Sequence, residues 1–243
     1  MALEERPALI SFTFGVPSAA ALAACRAAGA LTMGTATSIE EGLALEVAGV
    51  DLVCAQGLEA GGHRGVFDEN APDTALGLFA LVPLLVARLR VPVVAAGAVM
   101  NGGGLVAALA LGAQAAQLGT AFLSCAEAGT SAPYRRELAR GADQPPTRLT
   151  RAFSGRPARG LSNAFMQELD ARPADALPFP LQNQLTRTLR RACAEAGRSD
   201  ALSLWAGQAA PLIEEAAAAQ VIERLLREAE ATLERLPGNR TSR

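Results

Sequence analysis

The side chain in this sequence best suited to acid–base chemistry is His63, the only histidine among 243 residues. An unperturbed histidine exchanges protons near neutral pH. His63 lies in a glycine-rich segment, residues 56–65 (QGLEAGGHRG), directly after an apolar run at 50–55. Glycines allow the backbone to turn sharply and to approach a ligand closely. The segment therefore predicts a pocket with one proton-transfer group at the mouth of a strand; the alternative is a surface loop with a solvated histidine.

Two further glycine turns follow later apolar runs and could bind an anion. Gly97 and the run at 101–104 follow one run, and Gly119 with Thr120 follows the next. In (β/α) barrels the loops after the last two strands commonly hold a phosphate through backbone N–H groups and a helix N-terminus. Either turn alone is common, but together with the segment around His63 they suggest a phosphate site.

Short apolar runs alternating with helical segments must position these turns. The runs predict five strands, at 8–14, 31–35, 50–55, 91–95 and 115–118. The intervals predict helices at 19–28, at 39–48, from Asp73 or Thr74 to about Arg90, and at 105–111. Ser18 is the expected cap of the first helix, and Ser38 with Glu41 has the spacing of a capping box for the second.

Strands that are apolar throughout and alternate with helices indicate a parallel sheet with covered faces. The fold class is therefore α/β, with about five βα units forming a TIM-barrel-type partial barrel. Residues 129–157 predict an irregular excursion with one helix at 134–140. Further helices are expected at 161–170, 181–196 and 213–235, and a frayed tail at 238–243. We expect a barrel domain over 1–128 and a helical C-terminal region over 129–243.

Composition excludes several classes of function. Twenty-two basic and 24 acidic residues give a net charge of −2, so nucleic acid is not an expected partner. Four scattered cysteines and one histidine provide no zinc pattern and suit a reducing, cytoplasmic location. The longest apolar run, 75–87, is too short for a membrane span, and residues 1–6 do not resemble a signal peptide.

Six segments, in order along the chain, resemble the nitronate monooxygenases, formerly called 2-nitropropane dioxygenases. These segments are SFTFG at 11–15, QGLEAGGHRG at 56–65, PVVAAG at 92–97, QLGTAF at 117–122, SGRPARG at 154–160 and LWAGQ at 204–208. The resemblance implies an FMN-binding TIM barrel with an added helical part, acting on a nitro compound and oxygen to give a carbonyl compound and nitrite. No metal is implied, and a homo-oligomer is possible.

The resemblance also assigns roles to individual residues. His63 matches the catalytic base, which would take the α-proton of a nitroalkane or orient the nitronate. Gln56 and Gly61 would contact the flavin. The turn after Gly97, including Ala98, and the segment Gln117, Leu118, Gly119 and Thr120 would hold the FMN phosphate.

The chain departs from the family pattern in two places. Ala98 stands where a second glycine is usual, and a backbone contact survives that change if φ stays negative. The strand at 11–15 resembles the fourth strand of the barrel, so the first three βα units are expected to be missing from this chain. Two other interpretations stay open: an FMN-dependent enoyl reductase with the same barrel, and an inactive truncated fragment.

Overall fold

The computed structural model describes residues 2–236, which form two compact units. The first unit comprises the chain up to Leu58, Gly65–Gly97 and Ala107–Gln117. The second comprises Glu59–Arg64, Ala98–Val106 and the described chain from Leu118 onward. The domain boundary at residue 128 stays a prediction.

Strands and helices alternate through the first half of the chain, whereas helices predominate in the second half. The strands are β1 (Leu9–Phe12), β2 (Leu31–Ala36), β3 (Leu52–Gln56), β4 (Gly62–His63), β5 (Val93–Ala96), β6 (Ala115–Gln117), β7 (Thr147–Thr150) and β8 (Ala158–Leu161). The helices are α1 (Ala19–Ala27), α2 (Ile39–Ala48), α3 (Leu78–Val86), α4 (Gly102–Ala110), α5 (Ala132–Leu138), α6 (Ala164–Asp170), α7 (Leu181–Glu195) and α8 (Ala218–Arg235).

The first unit is built on a parallel sheet in the order β1-β2-β3-β5-β6. All four neighbouring strand pairs within the described residues are parallel. Alternate positions of the central strands form a buried cluster on one face: Met33, Cys54, Val94 and Ala96. Helix α3 contacts β3 and β5, whose remaining side chains, such as Val53 and Ala95, are fully buried. The predicted parallel partial barrel of five strands is confirmed.

Helix starts in the first unit mostly follow the predicted caps. The Ser18 hydroxyl accepts from the Ala21 N–H, and the Ser38 hydroxyl accepts from the Glu41 N–H, both at 3.2 Å. Glu41 also accepts from a backbone N–H, as predicted, but from that of Thr37 rather than that of the N-cap residue Ser38. The Glu41 carboxylate accepts from the Thr37 N–H and hydroxyl, at 2.6 and 2.7 Å, and from the Phe67 N–H at 2.7 Å. Glu41 therefore ties the start of α2 to the segment after the glycine-rich loop.

Helix α3 is shorter than predicted at both ends. The Asp73 carboxylate accepts from the Ala75 N–H at 2.9 Å, and Ala75 has a φ of +53°, so a turn replaces the first helical residues. At the other end the Arg90 N–H donates to the Glu46 carboxylate at 2.5 Å, outside any helix. Helix α4 instead begins earlier than predicted, at Gly102 rather than Leu105, because Asn101 caps it through the Gly104 N–H at 2.8 Å.

The second unit contains a three-stranded antiparallel sheet in the order β4-β8-β7. This sheet corrects the sequence prediction. Strand β7 lies inside the segment expected to be irregular, and Leu161 belongs to β8 rather than to a helix. The alternation of apolar and arginine residues over 147–161 is short and interrupted by glycine and proline, and one partner strand is only two residues long. Local pattern alone therefore did not identify it.

The C-terminal helices pack on the second unit with one amphipathic face each. Helix α7 matches its prediction closely, whereas α8 begins at Ala218 rather than at 213. The Glu127 carboxylate accepts from the Ala218 N–H at 3.1 Å and so marks the start of α8. Val221, Leu225 and Ala229 form the buried face of α8. Within residues 2–236 no helix is long and apolar enough to cross a membrane; the predicted tail at 238–243 lies outside the described residues.

Candidate active site

His63 is held in the second unit by the antiparallel sheet. It lies in β4 opposite Ala158 of β8, and the next residue, Arg64, donates its N–H to the Pro157 carbonyl at 2.8 Å. The predicted alternative, a histidine solvated on a loose surface loop, does not describe this arrangement. Backbone pairing with β8 instead holds the His63 backbone, and Ser154, about ninety residues further along the chain, contacts its ring.

Aromatic rings and one hydroxyl surround the imidazole. Its Nε2 lies 2.9 Å from the Ser154 Oγ. The centroid of the Trp205 ring is 5.6 Å from that of His63, and the Phe179 ring packs edge-on at 6.4 Å. Trp205 is itself packed perpendicular to the fully buried Phe153 at 5.5 Å. The surroundings of His63 therefore include two aromatic rings and the buried hydroxyl of Ser154.

Two guanidinium groups add positive charge around His63. Burial lowers the pKa of His63 below its ordinary value, and the charges of Arg156 and Arg190 lower it further. Burial also lowers the pKa of Arg190, whose guanidinium donates to the Asn183 carbonyl at 2.9 Å. The positive potential at this site favours a neutral imidazole and a negatively charged ligand.

Gly61 lies against the backbone of the segment that carries Trp205. A Cβ on Gly61 would fall 2.5 Å from the Ala206 carbonyl carbon and from the Gly207 nitrogen. The Gly207 N–H donates to the Thr120 hydroxyl at 3.1 Å. Gly61 and Thr120, two of the predicted flavin contacts, thus share Gly207 as a neighbour. Close backbone packing is a sufficient reason for glycine at position 61.

The turn around Gly119 offers backbone donors for an anion. The N–H groups of Gly119, Thr120 and Ala121, at the start of a short 3-10 helix, make no hydrogen bond to any group within residues 2–236. A Cβ on Gly119 would have no neighbour within 4 Å. Unpaired amides beside open space are the donor set that a phosphate requires.

The turn after β5 differs from the expectation in two respects. Ala98 has a φ of +53°, so the condition that φ stays negative is wrong. The first amide of α4 is also occupied, since the Gly102 N–H donates to the Glu228 carboxylate of α8 at 2.9 Å. The Glu228 carboxylate therefore already occupies the start of α4, and the turn at Gly119 is the better candidate for a phosphate site.

The other predicted site residues lie at the carboxyl ends of strands in the first unit. Gln56 ends β3 and accepts the Gly65 N–H at 2.7 Å through its Oε1. Gly97 follows β5 with a φ of +127°. Gln117 ends β6, and its Oε1 accepts the Cys54 thiol at 3.8 Å. Burial raises the pKa of Cys54 to about 12, so this thiol stays protonated.

Several residues around His63 were not predicted as site residues. Ser154, Arg156 and Trp205 belong to two segments that carried the family resemblance without a role, SGRPARG and LWAGQ. Arg190 and Phe179 had no local signal. They reach His63 through the packing of α7 and the chain before it, which sequence spacing does not reveal.

Comparison with known proteins gives consistent matches to one family. A family model described as nitronate monooxygenase matches residues 1–228. The chain is 46% identical over 235 residues to a nitronate monooxygenase of Paraburkholderia phytofirmans, covering 96% of this chain and 64% of that protein. It is 46% identical over 229 residues to the nitronate monooxygenase of Pseudomonas aeruginosa, covering 94% and 65%. The chain thus spans less than two thirds of the length of these curated relatives.

Two solved structures are similar to the chain over most of its length. The nitroalkane oxidase of Streptomyces ansochromogenes aligns with a TM-score of 0.89 and 43% identity over 95% of this chain and 66% of that one. FabK of Thermotoga maritima aligns with a TM-score of 0.78 and 28% identity, over 96% and 71%. Both likenesses extend over nearly the whole chain and therefore include both units.

Proposed function

We propose, from the fact that the chain belongs to the nitronate monooxygenase family, that it takes part in the flavin-dependent oxidation of nitroalkanes and their nitronates by oxygen. The products would be a carbonyl compound and nitrite. The observation that carries the proposal is His63, the single histidine, held between Ser154 and Trp205 in a positively charged, mostly apolar environment.

The environment of His63 suits a general base for a carbon acid. A base that acts at neutral pH must be unprotonated there, and the lowered pKa of His63 meets that requirement. Removing the α-proton of a neutral nitroalkane places the C–H electron pair on the nitro group as a nitronate anion and the proton on the imidazole. The guanidinium charges of Arg156 and Arg190 act on His63, and in this setting they would stabilise the anion as it forms.

The chain also has backbone donors for an FMN phosphate. The unpaired amides at Gly119, Thr120 and Ala121 would hold it, and Leu118 and Ala98 lie in the same unit. Gln56, Gly97 and Gln117, together with Gly61, are the remaining proposed flavin contacts. FMN bound in this way would supply the two-electron acceptor and the reaction with oxygen. His63 would supply the proton transfer, and the rings of Trp205 and Phe179 pack beside its imidazole.

The visible spectrum of the purified protein is the first test. We expect a bound flavin, and oxygen uptake with nitrite release when ethyl nitronate is added without NAD(P)H. Reduction that requires NAD(P)H and an enoyl substrate would instead indicate the reductase function. A protein that takes up no flavin on titration with FMN would contradict the proposal. A cytoplasmic location and a homo-oligomer stay predictions.

His63→Asn separates proton abstraction from the other steps. A neutral nitroalkane must lose a proton before it can be oxidised, and general-base catalysis is worth ~10²–10⁴-fold. We therefore expect kcat/KM for nitroethane to fall by about that factor while most of the activity on preformed ethyl nitronate remains. The nitronate serves as the internal control, since it shares the pocket but has already lost its proton. Equal losses on both substrates would show that His63 binds or orients and is not the base.

A further inference from the structure

Ser154 makes hydrogen bonds that constrain the proton on His63. Ser154 as a whole is 1% exposed, and three polar groups surround its hydroxyl oxygen. The His63 Nε2 lies at 2.9 Å, the Arg156 carbonyl oxygen at 3.0 Å and the Arg156 amide nitrogen at 3.3 Å. A hydroxyl has one proton to donate and two lone pairs to accept with.

Counting donors and acceptors leaves one arrangement that satisfies all three contacts. The Arg156 N–H can only donate, so it uses one lone pair of the Ser154 hydroxyl. The Arg156 carbonyl can only accept, so it takes the hydroxyl proton. The second lone pair is left for His63, and Nε2 must therefore carry a hydrogen and donate it. In a neutral imidazole the other nitrogen, Nδ1, then has the basic lone pair.

The backbone around Ser154 is fixed from two sides, so this geometry does not depend on a mobile loop. On one side, the pairing of β4 with β8 brings His63 to the chain that follows Ser154. On the other side, α7 holds the residues before it. The Gln182 side chain donates to the Ala152 carbonyl and the Thr186 hydroxyl to the Phe153 carbonyl, both at 2.6 Å.

We propose that Ser154 is a positioning residue that holds neutral His63 as the Nε2–H tautomer and so presents Nδ1 as the base. The tautomer follows from the hydrogen bonds alone, whereas the use of Nδ1 in catalysis rests on the proposed function. When Nδ1 takes a proton, the Nε2–H bond to Ser154 is unchanged and no hydroxyl has to turn. A donor arrangement that serves both protonation states requires no reorganisation during proton transfer.

The single histidine makes the tautomer directly measurable. Long-range ¹H–¹⁵N correlation spectra of uniformly ¹⁵N-labelled protein contain one imidazole, so no assignment is needed. At mildly alkaline pH, where the ring is neutral, we expect a protonated Nε2 and an unprotonated Nδ1 in the wild type. Ser154→Ala should give a mixture of both tautomers, and Ser154→Thr should restore the wild-type pattern. Ser162→Ala is the matched control, since Ser162 is also buried in this unit but has no hydrogen bond to His63.

Each result decides the proposal without requiring turnover. A protonated Nδ1 in the wild type, or a single unchanged tautomer in Ser154→Ala, would overturn it. Where flavin and activity are present, Ser154→Ala should lower kcat/KM for nitroethane by at least about tenfold, within the range of general-base catalysis. Activity on ethyl nitronate should change little. The expected tautomer in a protein that binds no flavin would refute the proposed function and leave the assignment of the tautomer in place.

Discussion

At the scale of single residues, the environment of His63 is more informative than the residue itself. A lone histidine after a glycine-rich turn has many possible roles. Pairing with β8, a hydrogen bond with the Ser154 hydroxyl and two nearby guanidinium groups favour a neutral, oriented imidazole, which fits the proposed role of a base. None of these partners lies near His63 in sequence, since Ser154 is 91 positions away. Sequence reasoning could therefore select the residue but not the features that tune it.

The lowered pKa of His63 should appear as a pH dependence of stability. An unfolded histidine takes up a proton as the pH falls through about 6.5. The folded ring is protonated only at a lower pH, so the unfolded state binds more protons in this window. The free energy of unfolding therefore decreases as the pH decreases. Urea unfolding measured at intervals from about pH 7.5 down to 5 would show this slope. His63→Asn should flatten it, and an equally steep slope in that variant would assign the dependence to other groups.

At the scale of elements, most strands and helices were predictable and most errors lie at their ends. Apolar runs predicted the five parallel strands because a strand buried on both faces is apolar throughout and can be identified from its own sequence. The antiparallel sheet was missed because β4 is two residues long and its partners lie far along the chain. The predicted start of α8 was wrong because the distant Glu127 carboxylate accepts from its first N–H. At α4 the distant Glu228 carboxylate adds to the local cap by Asn101.

The turn after β5 contains a strained alanine that glycine should relieve. Ala98 is exposed and has a φ of +53°, which costs a side-chain-bearing residue about 1–2 kcal/mol. Removing this strain should stabilise the folded chain, but the greater conformational freedom of glycine in the unfolded chain offsets part of the stabilisation. We expect Ala98→Gly to raise the free energy of unfolding by about 0.5–1 kcal/mol in urea denaturation. Ala107→Gly, at an exposed position inside α4, should lower it by a similar amount.

The turn after β6 gives a test of the phosphate assignment that leaves folding untouched. Gly119 has a negative φ, and a Cβ placed on it has no neighbour within 4 Å, so we expect Gly119→Val to fold normally. The side chain would lie beside the amides that the phosphate needs, and losing one charge-assisted hydrogen bond costs about 1.5–3 kcal/mol. The Kd for FMN should therefore rise at least about tenfold while the melting temperature of the apoprotein stays constant. Gly129→Val, equally open, is the control; equal FMN affinity in both variants would refute the assignment.

At the scale of the whole molecule, the second unit is assembled from segments far apart in sequence. Residues 59–64 and 98–106 belong to it together with the chain from Leu118 onward. The chain therefore passes between the two units several times before the C-terminal helices. A boundary drawn at one position in the sequence does not describe this path. Local patterns identify elements, whereas the grouping of elements depends on long-range contacts.

Helix α8 should stabilise the fold through the hydrogen bond between its Glu228 carboxylate and the Gly102 N–H at the start of α4. Glu228→Ala removes the acceptor of the Gly102 N–H and a negative charge at a helix N-terminus. Losses of N-terminal caps cost about 0.5–2 kcal/mol, so we expect the free energy of unfolding to fall by about 1 kcal/mol. Glu230→Ala, on an exposed position of the same helix, should change it by less than about 0.5 kcal/mol. If the two variants unfold at the same urea concentration, the cap contributes nothing.

The hydrogen bond between Gly102 and Glu228 joins two residues that are synthesised at different times. The two residues are 126 positions apart, and chains are synthesised at about 5–20 residues per second. For roughly 6–25 seconds, therefore, the N-terminus of α4 exists on the ribosome without the carboxylate that will cap it. The amides near Gly119 are made in the same interval. Until the last helix is synthesised, the Gly102 N–H therefore lacks the acceptor that it has in the complete fold, and only the local cap from Asn101 is available to α4.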